Sequence, residues 1–306
     1  MSGDLWETRW NAMGGRAHAL FLGGSATLAE MVQQDVDELE QRWSRFLPTS
    51  EISMLNTRRG QWIDLSPDTV VLIDCLLRAR AFTGGRFDPF LLDRLSAAGY
   101  DRPYHEITDL THTANTPRSL PPPDEAPIEI DRERCRARLT ADLGLDPGGL
   151  GKGLAADLVS RKLLDAGVEG VMVNLGGDLR VRGAAPDGRW RIAVEEPHDP
   201  NRVLLRLDLR RGAVATSSRL RRAWQASGQD RHHLIDPATG DPGNTGVLAV
   251  TVAAEECWWA EALTIATYVA GPRRGRELLQ EAGVDGTVID DAGTRHDTPG
   301  FIATST

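Results

Sequence analysis

Apolar residues recur at three- and four-residue steps through Leu28, Met31, Val32, Val36, Leu39, Trp43 and Phe46, the spacing of one helical face. Ser25, just ahead of them, supplies an N-cap. A second helix opens at Ser66-Pro67, a cap followed by proline at the first helical position. It runs through Val70, Ile73, Leu76 and Leu77 to a stop at Gly84-Gly85. Residues 10–22 read as strand, interrupted at Gly14-Gly15. A third amphipathic helix follows a glycine-rich run and ends near Gly167. Beyond it the period changes. Residues 171–175 and 178–182 flank Gly176-Gly177 as two strands around a tight hairpin. Further strands are expected at 190–195, 203–209, 212–216, 231–235 and 247–252, helices at 255–269 and 273–282, and a short strand at 286–290. Residues 105–127, with Pro121-Pro122-Pro123 and little apolar periodicity, read as a long surface loop or insertion. Hairpin-paired strands with helices gathered between them predict an α+β fold of mixed, largely antiparallel sheets. One domain over residues 1–306, without internal repeats, accommodates them.

Charge narrows the function classes. The 306 residues carry 44 acidic and 35 basic side chains, a formal charge of −9. That disfavours non-specific binding to nucleic acid or anionic membranes, which relies on basic surface. Cys75, Cys135 and Cys257 show no C-x-x-C spacing, which suits a reducing compartment and offers no thiolate metal site. No apolar run approaches the roughly 18–20 residues that span a bilayer, so no membrane insertion is expected. The N-terminus carries Asp4 and Glu7 without an apolar core, unlike a secretory signal, so a cytoplasmic location is expected.

The most informative stretch for chemistry runs from Leu145 to Asp157 and includes Gly148, Gly149, Gly151, Lys152 and Gly153. Glycine lets backbone N–H groups approach a ligand closely, and a helix start concentrates unpaired donors and partial positive charge. The segment therefore suits an anion. It is neither the common phosphate loop, since Gly153 follows Lys152 where Ser or Thr is required, nor the dinucleotide fingerprint, whose third glycine lies one place later. A phosphate site and a glycine-rich turn before a helix both satisfy this spacing.

Polar clusters also fall at Ser50-Glu51-Ile52-Ser53 with Asn56, at residues 85–89, at Asn174 with Gly176-Gly177-Asp178, at Thr216-Ser217, and at His232-His233 with Asp236-Pro237. They are expected at strand ends, where sites are assembled. Each has a purely structural reading. Asp88-Pro89 and Asp236-Pro237 are turn starters, and Asn174 and Asp178 can serve a hairpin alone. Adjacent histidines on a strand face opposite sides and cannot share a metal.

Taken together, in order and spacing, these segments resemble the ApbE family of FAD:protein FMN transferases over nearly the whole chain. Ala12-Met13-Gly14 is similar to the family's "AMGT" opening, followed by Ser44-Arg45-Phe46, residues 50–53 and Asn56. "G-x-F-D-P" appears at 85–89, "D-x-G-G-x-x-K-G-x-x-x-D" at 146–157, "N-x-G-G-D" at 174–178 and "H-x-x-D-P-x-T-G" at 233–240. The resemblance implies a two-lobed architecture with FAD in the cleft, and transfer of FMN to a threonine or serine hydroxyl of an acceptor protein, with release of AMP and assistance from Mg2+. It implies that Asn174, Gly176, Gly177 and Asp178 hold the adenosine half, that Met13 packs near a ring, and that Glu51 and Asp88 line the cleft. Thr216 and Ser217 become candidate donors to the cofactor. For such a reaction Lys152 and the amides around Gly149 and Gly151 would neutralise the diphosphate, and His233 would accept the hydroxyl proton or position the pyrophosphate.

The chain departs from the family at its metal motif. "A-D-A-x-x-T" is matched by residues 260–265, where Glu261 replaces the aspartate and Ile265 the threonine. Thr264 lies about 100° away around an ideal helix and is a poor substitute. A weaker Mg2+ site from Glu261, the Gly149 backbone and Thr264 is the expectation. Ser218 replaces the glycine of "T-S-G", and Phe90 stands where threonine is common. Alternatives on the same scaffold are a non-catalytic or repurposed FAD-binding protein, an FAD pyrophosphatase giving FMN and AMP, and a redox enzyme using bound flavin.

Overall fold

The computed structural model describes residues 4–107, 119–226 and 228–305. The chain opens with a hairpin, β1 (Leu5–Ala12) and β2 (Gly15–Leu22), where one interrupted strand from residue 10 was expected. Ala12 pairs with Gly15, leaving Met13 and Gly14 as a two-residue turn with φ of 52° and 70°. Two positive φ values give the turn whose twist matches its strands. In α1 (Ala26–Trp43), Val32, Val36, Leu39 and Trp43 are buried, while Phe46 lies past the helix end. Ser25 sits at the N-cap without a side-chain capping bond.

The cluster at residues 50–56 is a helix rather than a strand end: α2 (Glu51–Thr57), capped by Ser50 accepting from Ser53 N. After β3 (Ile63–Asp64) comes α3 (Pro67–Phe82), with Ser66 accepting from Thr69 N as its cap. Then follow α4 (Leu92–Ala97), β4 (Ile128–Asp131) and β5 (Arg136–Leu139), the last two forming a small sheet with β3. These short elements span too few residues for a period to show. Residues 108–118 of the loop expected at 105–127 lie outside the described residues. Its described end is tied down, because the Arg80 guanidinium donates to the carbonyls of Pro121, Pro122, Pro123 and Glu125.

The second half comprises α5 (Gly151–Asp165), β6 (Gly170–Leu175), β7 (Asp178–Gly183), β8 (Trp190–Glu195), β9 (Val203–Leu209), β10 (Gly212–Ser218), β11 (Ala223–Ala226) and β12 (Gln229–His232). It ends with β13 (Val247–Ala254), α6 (Cys257–Glu281), β14 (Asp285–Asp290), β15 (Arg295–Asp297) and β16 (Thr304–Ser305). The strand expected at 231–235 stops at His232, so His233 follows it in a loop. The two helices expected around residue 270 are halves of α6, which leaves helical geometry at Gly271 (φ 80°, ψ 174°) before Pro272.

Eight strands form the main sheet in the order β1-β2-β6-β7-β10-β13-β14-β15, with antiparallel neighbours throughout. Val171, Val173 and Leu175 join a core with α1, α3, α5 and α6, while Met172 joins the other face beneath the β16-β9-β8 sheet. That alternation is the strand period. On β7, Leu179 and Val181 take the second face. Asp178, Arg180 and Arg182 consequently face the helices, where they meet Lys152, Asp157 and Glu256. The seam between α5 and α6 is tight, since a Cβ on Gly153 would lie 2.6 Å from the Cys257 carbonyl.

Candidate active site

Clusters far apart in sequence lock onto the glycine-rich segment. Asn56 from α2 donates Nδ2 to Leu145 O at 2.8 Å and accepts Leu145 N at 2.7 Å. Asp146 N donates to Pro89 O at 2.7 Å. Gly149 lies under Phe87, whose Cε2 would be 2.7 Å from a Cβ there, and under Ile265 of α6 at 2.8 Å. Arg94 of α4 donates to Pro237 O at 2.7 Å, joining the histidine segment to the same region.

Between these segments lies a cavity of about 890 Å³. Of the residues nominated from sequence, Met13, Asp88, Gly149, Gly151, Lys152 and His233 line it. Sequence reading missed its aromatic wall of Trp43, Phe46, Phe87, Tyr100 and Tyr104, and its guanidinium groups Arg16, Arg45, Arg86 and Arg222. Those residues are scattered from 16 to 222, and only Arg45-Phe46 and Arg86-Phe87 fell within recognised motifs. Arg45 stacks over Phe46 and Tyr100, 4.2 and 4.5 Å from their centroids, and pairs with Asp146 at 3.6 Å. Arg222 donates to Tyr100 Oη at 2.9 Å. Among the described residues, Arg16, Arg86 and Arg222 have no carboxylate partner. Met13 is fixed in its turn by donating its N–H to Glu40 Oε2 at 2.7 Å.

A charged seam underlies this cavity. Lys152 Nζ lies 2.7 Å from Asp178 Oδ2 and also donates to Glu261 Oε1, while Glu261 Oε2 accepts Gly153 N at 2.7 Å. Burial opposes the lysine charge, but Asp178 and Glu261 together hold the ammonium above its ordinary range. Burial, reinforced by Asp178, pushes Glu261 up despite the ammonium. Deeper in, Asp157 caps α6 by accepting Trp258 N at 3.0 Å and faces Arg180 at 3.3 Å. The same carboxylate therefore braces α5, β7 and α6, the three elements that carry Lys152, Asp178 and Glu261. His233 is half-buried, and its Nδ1 has no hydrogen-bond partner among the described residues. Burial first, then the Arg222 guanidinium, keeps its imidazole neutral well below the ordinary histidine range.

Other nominated residues lie outside the cavity or are engaged by neighbouring groups of the protein. Glu51, expected in the cleft, lies outside the cavity and accepts Ser66 N and Oγ at 3.0 Å, fastening α2 to the start of α3. Asn174 accepts Gly177 N at 2.9 Å, the structural hairpin reading. Gly176 backs onto the Lys152 stem, 3.5 Å from where its Cβ would stand. Asp178 is not among the residues lining the cavity, and its Oδ2 is paired with Lys152 Nζ. Asp88 borders the cavity with both oxygens engaged, one by Arg80 Nε at 2.8 Å and one by Phe90 N at 2.9 Å. Thr216 meets Thr251 at 3.0 Å and Ser217 meets Thr264 at 2.6 Å, so neither hydroxyl is presented to the cavity. Ser218 caps the following turn by accepting Leu220 N, and Phe90 is buried.

The residues around Glu261 do not fit a magnesium ion. Thr264 donates to Glu261 O at 2.7 Å and is fully buried toward β10, and Ile265 presents carbon to Gly149. Among the described residues no three His, Cys, Asp or Glu side chains are grouped to hold a metal. Nor, among them, is any helix long and apolar enough to cross a membrane.

Comparison with known proteins converges on one family. A profile of the ApbE family matches residues 8–288. The FAD:protein FMN transferase of Escherichia coli K12 is 31% identical over 271 residues, covering 85% of this chain and 76% of its own. That of Vibrio cholerae is 28% identical over 265 residues, covering 85% and 78%. The ApbE protein of Thermotoga maritima superposes with a TM-score of 0.83 over 97% of each chain, at 26% identity.

Proposed function

Because the chain belongs to the ApbE family, we propose that it binds FAD in this cavity and moves FMN from it to a threonine or serine hydroxyl of an acceptor protein. One observation carries the reading: an aromatic-walled cavity holds Arg16, Arg86 and Arg222 without carboxylate partners beside the glycine-rich start of α5. Aromatic faces suit an isoalloxazine or adenine ring. Guanidinium groups and helix-start amides suit a diphosphate.

In the step proposed, the acceptor hydroxyl oxygen attacks the phosphorus of the FMN half, the bond to the AMP phosphate breaks, and AMP leaves. His233, neutral and lining the cavity, takes the hydroxyl proton. Arg222, Lys152 and the Gly149 amide offset charge on the phosphoryl oxygens. Asp178 and Glu261 act through Lys152, holding its ammonium at the cavity floor.

The test is titration with FAD, followed by incubation with FAD and a threonine-bearing acceptor peptide, with mass spectrometry of the peptide and assay of AMP. Flavinylated peptide with matching AMP supports the reading. AMP appearing equally without acceptor assigns a pyrophosphatase instead, and absence of FAD binding overturns both.

A further inference from the structure

The floor of the cavity already contains a cation. Lys152 reaches Asp178 Oδ2 at 2.7 Å and Glu261 Oε1, and the second Glu261 oxygen is taken by Gly153 N. Space between α6 and the glycine-rich loop is filled by carbon, with Ile265 Cδ1 standing 2.8 Å from a Cβ on Gly149. The neighbouring hydroxyl, Thr264, is committed to Glu261 O and Ser217. Mg2+ requires a near-octahedral set of oxygens at about 2.0–2.1 Å. To reach both carboxylates it would have to expel the ammonium from its buried partners, leaving an unpaired charge at high cost.

Resting on the flavin reading of the cavity, we propose that Lys152 is the resident cation of this site and that the FAD diphosphate is bound without a divalent metal ion. An ammonium has three N–H donors. Asp178 and Glu261 take two, and the third remains for a phosphate oxygen, since Lys152 lines the cavity with 17% of its side chain exposed. Arg222, which lines the same cavity without a carboxylate partner among the described residues, adds a second cation to the anion site.

Protein stripped with EDTA is titrated with FAD by fluorescence, once with EDTA and once with MgCl2 at matched ionic strength. Thermal unfolding without FAD is followed in parallel as MgCl2 replaces NaCl. FAD dissociation constants agreeing within about twofold, with no magnesium-specific rise in Tm, support the proposal. A larger loss of FAD affinity in EDTA, or such a rise, overturns it while leaving the flavin reading standing. Absence of FAD binding in both buffers overturns the flavin reading and the diphosphate proposal with it. The paired substitution Glu261→Asp with Ile265→Thr shortens the carboxylate and exchanges carbon for hydroxyl. It is expected to make FAD affinity rise about tenfold on adding magnesium. A folded double variant as indifferent to magnesium as the parent overturns the assigned cause.

Discussion

Asn56 and Leu145, 89 residues apart, exchange two hydrogen bonds: the side-chain amide serves both the N–H and the C=O of one backbone unit. Only a group with a donor and an acceptor side by side can do this. The pair fixes the glycine-rich segment onto α2 before any ligand arrives.

Asn56→Asp removes the donor and sets a carboxylate against the Leu145 carbonyl. Stability is expected to fall by about 1–3 kcal/mol, the cost of buried groups left unpaired. Urea unfolding measures it, and a midpoint equal to the parent's would show that the segment is held by other contacts.

Gly153 lies where α5 and α6 nearly touch, a Cβ there being 2.6 Å from backbone of Cys257. Gly153→Ala should cost about 1–3 kcal/mol through overpacking. Because the obstacle is backbone, no rotamer change relieves it. Chemical denaturation is the readout.

His232 contacts Gly243 O at 3.1 Å and Tyr268 Oη at 3.3 Å, and burial, partly opposed by that carbonyl, pulls its pKa from 6.5 down to about 4. The unfolded chain therefore takes up this proton first as pH falls. Stability owed to neutral His232 is complete above 6.5 and lost on going down to about 4. Compared with His232→Gln, the parent should lose unfolding free energy across that window. Parallel pH profiles would refute the assignment.

Arg222 donates to Tyr100 Oη and has no carboxylate partner among the described residues, so its charge is open to a ligand. Arg222→Gln is expected to weaken FAD about tenfold, the scale of one charge-assisted contact. Circular dichroism should be unchanged. Equal affinity would move the diphosphate elsewhere in the cavity.

His233→Ala should leave the FAD dissociation constant near the parent's and lower kcat for flavin transfer, because its role is proposed for the hydroxyl proton alone. Loss of FAD binding with unaltered fold would make His233 a binding group instead.

The period of the chain disclosed the long elements: α1, α3, α5, the β6–β7 hairpin and most of β8, β9, β10 and β13 lie where their apolar spacing put them. It failed for α2, α4 and β3 to β5, whose packing rather than repeat makes them regular. At β7 the strand lies where its spacing put it, but its charges are buried: Arg180 is 1% exposed and Asp178 is 4% exposed. Their burial follows from charges on α5 and α6 that no local window contains.

Motif order and glycine placement were thus present in the chain itself, since backbone freedom and hydrophobic period are local properties. The partner of each charge was not. Glu51 went to Ser66, Asp178 and Glu261 went to Lys152, and the arginines of the cavity came from unrelated segments. Coulomb and hydrogen-bond energies depend on distance and burial in three dimensions, and the Lys152–Glu261 contact joins residues 109 positions apart.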